Sequence, residues 1–162
     1  MLKHLTLTLL AGFVIAFTSG CTITQNVKPV ETTPTVSTIY VQKNTNVHME
    51  GLHPEIVQQL TTLGFQVVTF DTTRPPDAKY WMNYTANWNW DMAMYLTYFQ
   101  ITFMEDGRVL GRAEYDARRG GANMGKFGKT AEKIRPLLID LLQNVNRVPA
   151  GTSAPMGTGS GK

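Results

Sequence analysis

From Tyr80 the chain alternates. One parity reads Tyr80, Met82, Tyr84, Ala86, Trp88, Trp90; the other reads Trp81, Asn83, Thr85, Asn87, Asn89, Asp91. Apolar and polar positions exchanging at period two predict a strand with one buried face. The next run, Met92–Met104, holds no Gly or Pro and keeps the strand character. A single strand from Tyr84 to Met104 would be about 66 Å long at ~3.3 Å per residue, against a radius of gyration of about 13 Å for a domain of this size. The chain must therefore turn, and Asn87, Asn89 and Asp91 are suited to turning. A hairpin or sharp bulge is expected around Trp88–Met92. Trp88 and Trp90, two of the chain's three tryptophans, then read as packing at the corner where a strand leaves the core, with a ligand platform as the alternative.

The flanking pattern supplies the other elements. Thr38–Lys43 (TIYVQK) and Phe65–Phe70 (FQVVTF) are short strands. Between them a helix starts near Pro54 and ends at Gly64, with Ile56, Leu60 and Leu63 on one face. Asp71–Asp77 is a loop, and Glu105–Arg108 (EDGR) is a tight hairpin turn. Phe127, Ala131, Ile134, Leu138, Leu141 and Val145 recur at three- and four-residue spacing and predict a closing helix. Pro136 inside that stripe should kink the helix or mark its start. The expected fold class is α+β, a mostly antiparallel sheet of about five strands with two helices on one face, in the order β-α-β-β-β-β-α. Residues 38–147 form one domain of 110 residues. Residues 21–37, rich in Thr, Pro and Val without helical period, read as a flexible tether, and the Gly/Ser/Pro-rich 148–162 as a disordered tail.

The N-terminus carries the strongest signal. Leu5–Phe17 is thirteen residues, apolar apart from two threonines, after a basic start at Lys3. That suits a signal peptide, whereas a membrane-spanning helix needs about 20 residues. Thr18-Ser19-Gly20-Cys21 resembles the lipobox of bacterial lipoproteins, with Thr18 where Leu is usual. The resemblance implies that residues 1–20 are removed and Cys21 is acylated. Thr22 in place of Asp implies the outer membrane, the domain facing the periplasm. The alternative is an ordinary cleaved signal followed by a chance cysteine. Each buried acyl CH₂ contributes about 0.8 kcal/mol, so three chains would hold the protein in place. Cys21 is the only cysteine, so once it is acylated no thiol remains for a disulfide, a nucleophile or a thiolate metal site. Loss of Lys3 leaves 14 Lys+Arg against 12 Asp+Glu, a formal charge of +2. That is too weak to imply nucleic acid.

The stretch YTANWNWDMAMYLTYFQITF, followed by GRAEYDARRGG and an amphipathic helix, resembles a family of uncharacterised proteobacterial lipoproteins. Its signature is Tyr-Thr-Ala-Asn-Trp-x-Trp-Asp before an aromatic strand, with Tyr-Asp-x-x-x-Gly-Gly after it. The resemblance spans about residues 84–142 and the signal peptide, and implies location and fold rather than chemistry.

Candidate chemistry is sparse. His48, Glu50 and His53 lack the i,i+4 spacing of a helical zinc pair and read as solvated residues before a helix. Asp91, Glu114 and Asp116 could form an acid/base pair for a hydrolase acting on envelope glycans, but Glu114 and Asp116 read as one solvated strand face. Arg118, Arg119, Gly120 and Gly121 precede a helix and could cradle an anion, although no GK[ST] ending follows and a flexible connector is the plainer reading. No catalytic set, metal or cofactor is expected. A partner is favoured by Met92, Met94, Leu96 and Tyr98, because both parities of this run are apolar. With helices on one sheet face, an adaptable Met/Tyr patch would remain on the other, unless the sheet curls or the tether covers it. The expectation is a non-enzymatic binding or envelope-assembly module with a protein partner, using that patch together with Trp88 and Trp90.

Overall fold

The computed structural model describes residues Thr22–Val148, so the signal segment, Cys21 and the C-terminal tail lie outside the described residues. In chain order the elements are β1 (Thr24–Lys28), β2 (Thr35–Val36), β3 (Thr38–Gln42), α1 (Leu52–Thr62), β4 (Gln66–Phe70), β5 (Tyr80–Asp91), β6 (Ala93–Glu105), β7 (Arg108–Asp116), α2 (Thr130–Leu141) and β8 (Asn146–Arg147). The main sheet has six strands in the order β1-β7-β6-β5-β3-β4. From β5 to β1 its pairings are antiparallel, while β3 runs parallel to both β4 and β5. The α+β class and the order from β3 to α2 are as the pattern predicts.

Side-chain alternation decides which face is covered. Met82, Tyr84 and Ala86 of β5, Phe99, Ile101 and Phe103 of β6, and Ala113 and Tyr115 of β7 are buried in one core. Ile56 and Leu60 of α1 and Ile134, Leu137, Leu138 and Leu141 of α2 close that core from the helix side. Pro136 sits within α2 without ending it. α1 ends as expected: Gly64 adopts φ +89°, and the Phe65 N–H donates to the Leu60 carbonyl at 3.2 Å. The β6–β7 turn places Asp106 and Gly107 at φ +47° and +88°, the paired positive angles that an Asp-Gly hairpin supplies cheaply.

The expected tether is corrected. Residues 24–28 form β1, paired with β7 from Thr24↔Asp116 to Lys28↔Arg112. Val30 and Val36 are fully buried, and β2 pairs in parallel with β8. Without β1, β7 would be an edge strand with unpaired backbone groups, and β-branched Thr and Val are well suited to satisfy them. Composition concealed this because a five-residue strand carries little periodic signal.

β4 and β5 flank β3 in the same direction, so the chain from 71 to 79 must return along the sheet. It does so over the face opposite the helices. Arg74 lies 5.9 Å from the Trp81 ring, and the Tyr40 hydroxyl donates to Asp77 at 2.6 Å.

At Gly111 three elements meet. A Cβ there would lie 2.8 Å from a Leu141 methyl and 2.9 Å from the Lys28 carbonyl oxygen. Backbone cannot yield as a side chain does, so Gly111→Ala should cost about 1–3 kcal/mol. Urea denaturation should show a lower midpoint at unchanged slope.

Candidate functional site

The β5–β6 hairpin holds most of the residues singled out by sequence, and a bulge decides where they point. Asn87 pairs with Tyr98, but Trp88 pairs with Leu96, leaving Thr97 as the extra residue. The Thr97 hydroxyl donates to the Asn87 carbonyl at 2.9 Å, and its own carbonyl accepts the Ala117 N–H at 2.7 Å. One inserted residue exchanges the faces of everything beyond it. The core parity of β6 is therefore odd from Phe99 to Phe103 and even at Leu96, which is 1% exposed. The two-sided apolar run marks a change of face rather than a patch on the open face, and the expected grouping of Leu96 with Tyr98 is corrected.

The six candidates thus divide three ways. Leu96 is core, and Trp88 is half-buried against it, forming one wall of a cleft of about 360 Å³ shared with Met49, Leu52 and Ala131. Tyr98 lies on the open face, where its hydroxyl donates to Glu114 at 3.0 Å and accepts from Gln100 at 2.9 Å, with Arg118 4.5 Å from its ring. Trp90, Met92 and Met94 stand at the hairpin tip, 68%, 84% and 58% exposed. Met92 makes the turn itself at φ +61°.

The acidic candidates Asp91, Glu114 and Asp116 each have a partner. Asp91 pairs with Lys126 at 2.5 Å, and Lys126 also donates to the Gly121 carbonyl. Asp116 is held below the usual carboxylate range, first by hydrogen bonds from Arg118, whose Nη2 lies at 2.6 Å. An ionised carboxylate is the opposite of a general acid at neutral pH. Arg118 and Arg119 border a cleft of about 620 Å³ with Asp116, whose charge offsets Arg118 for an incoming anion. Gly120 donates its N–H to Ala117, so this connector is folded on itself rather than arrayed toward a ligand. Among the described residues no group of three or more His, Cys, Asp or Glu side chains could hold a metal ion. His53 instead bridges the Tyr84 hydroxyl at 3.2 Å and the Thr69 hydroxyl at 3.1 Å.

One site escaped the sequence. At the carboxyl ends of the parallel strands β3 and β4, a groove of about 440 Å³ opens on the uncovered face. Five amide side chains line it (Gln42, Asn44, Asn46, Asn83 and Gln100), with the hydroxyls of Thr45, Thr72 and Thr85 and one charge of each sign, Lys43 and Asp71. Asn44 is fixed by donating to the Tyr84 carbonyl at 2.7 Å. The QKNTN run that begins at the last residue of β3 was the available signal, but its convergence with Asn83 and Gln100 requires the β3–β5 pairing.

No family model and no curated protein matches the chain. Among solved structures it is similar to a PelC dodecamer from Paraburkholderia phytofirmans carrying one point substitution, at 11% identity and a TM-score of 0.47, covering 76% of this chain and 96% of that one. A likeness at that level carries no functional argument.

Two outcomes are expected. Leu96→Ala should lose about 2–5 kcal/mol of stability, whereas Met92→Ala should stay within about 0.5 kcal/mol of the parent, both read by chemical denaturation. Burial, and then Lys43, lower the His53 pKa below its ordinary 6.5. The unfolded chain therefore binds that proton more readily, and stability is lost as pH falls from above 6.5 toward the folded value. The melting temperature should drop between about pH 7.5 and 5.5, and His53→Gln should flatten the drop.

Proposed function

We propose that this chain belongs to the lipoprotein family its YTANWNWD signature resembles. In this reading it is held by acylated Cys21 on the periplasmic side of the outer membrane and acts as a non-enzymatic binding or assembly module of the envelope. The observation that carries the reading is the amide-lined groove on the sheet face opposite the helices. Amides and hydroxyls offer paired donors and acceptors, and the charges of Lys43 and Asp71 cancel, so the lining suits a partner without net charge that hydrogen-bonds. The groove lies on the sheet face opposite the helices, beside the part crossed by residues 71–79, and its lining is polar. The separate pairing of Asp91, Glu114 and Asp116 favours binding over hydrolysis.

A photoreactive residue at Thr85, exposed at the groove's edge, should form a discrete adduct in the intact envelope. Asn83→Ala/Gln100→Ala in the same chain should abolish it while the thermal transition is kept. An adduct that survives this double substitution would place the partner elsewhere.

A further inference from the structure

The end of the domain that carries the hairpin tip is also the end at which the chain enters. Thr24, Asp116 and Tyr98 sit at one level of the sheet, because β1 pairs with β7 and β7 with β6 there. Above that level only β5 and β6 continue, to the turn at Met92. Six residues from Tyr98 to Met92 project up to about 20 Å at ~3.3 Å per residue. On the same side of that level, Cys21 stands three positions before Thr24. Even fully extended they reach only about 10 Å. Slack is smaller still, since the Thr22 N–H donates to the Arg119 carbonyl at 3.1 Å.

The tip is also tied to this entry point. Asp91 is paired with Lys126, and Lys126 donates to Gly121. Ile23 lies against Gly120 and Gly125. Next to Lys126 is Met124, 72% exposed, which adds a fourth large apolar side chain to Trp90, Met92 and Met94. Arg119 and Lys129 are exposed on the same connector, placed to meet phosphates when the apolar groups are inserted.

We propose that the β5–β6 hairpin tip is a membrane-docking element, in which Trp90, Met92 and Met94, flanked by Met124, enter the boundary between headgroups and acyl chains of the leaflet that holds the anchor. The proposal rests on acylation of Cys21, which brings a bilayer to within about 10 Å of a level above which the tip projects farther. Trp is the side chain best suited to that boundary, with its apolar body inserted and its indole N–H wet. Flexible Met side chains fill fluid acyl packing without a fixed partner shape.

The test uses the full acylated chain in vesicles of phosphatidylethanolamine and phosphatidylglycerol, with or without brominated acyl chains. Bromine should quench part of the tryptophan emission, Trp90→Phe should remove the quenched part, and Met92→Asp/Met94→Asp should abolish quenching with the thermal transition retained. Quenching that is absent, or unchanged in either variant, overturns the proposal. So does a homodimeric crosslink from a photoreactive residue at position 92, because a second copy would then cover the tip. Mass spectrometry of the Cys21 peptide separates the two readings. Bromine quenching of a chain without acyl groups would leave the tip docking and remove the anchor. An acylated chain without quenching would do the reverse.

Discussion

A single unpaired residue, Thr97, organises the upper half of the molecule. Its hydroxyl and its carbonyl are both used, on Asn87 and Ala117, so the bulge is held from β5 on one side and from the chain leaving β7 on the other. Below it, β6 buries its odd positions; above it, Leu96 takes the core side and Tyr95 turns toward Phe127, ring centres 5.6 Å apart. Without the inserted residue, Leu96 would face the open side and Thr97 the core, exchanging a buried aliphatic group for a hydroxyl. The burial of Leu96 beside an outward-facing Tyr98 follows from that one register shift.

The connector after β7 is stabilised by buried cations as well as by the packing of Phe127 on Tyr95. Lys126 is 5% exposed and bridges Asp91 to the Gly121 carbonyl. Lys133 of α2 donates to the Lys126 carbonyl and lies 5.3 Å from the Tyr115 ring centre, its pKa lowered by burial. A buried ammonium is costly unless its donors are used. Here two of them are aimed at carbonyls of a glycine-rich segment, in which the Asn123 side chain also accepts the Gly125 N–H at 2.9 Å. The segment that sequence suggested as an anion cradle is thus ordered by internal charge together with its own turn hydrogen bonds.

Much of the architecture was legible because it rests on local periodicity. The alternation of Tyr80–Trp90, the part of the Phe127–Val145 stripe that falls within the helix and the Asp-Gly turn each depend on neighbours in sequence. What escaped depends on distant partners. β1 exists because β7 offers a free edge, and the groove exists because β3 lies beside β5. The bulge was half legible. Apolar residues on both parities from Met92 to Tyr98 signalled an anomaly, but spacing alone cannot distinguish a patch from a change of face. Of that run, Met92 and Met94 are exposed beside Trp90, while Leu96 is buried.

The early start of β1 has a consequence for encounter. A lipoprotein on a long leash samples a hemisphere set by the length of its linker, at an effective concentration that falls as the linker grows. With β1 beginning three residues after Cys21, an acylated chain would have almost no leash. Its groove would sweep a thin layer parallel to the leaflet, at a height fixed by the hairpin. Lateral diffusion would become its only search, and anything it meets would have to be brought to that height.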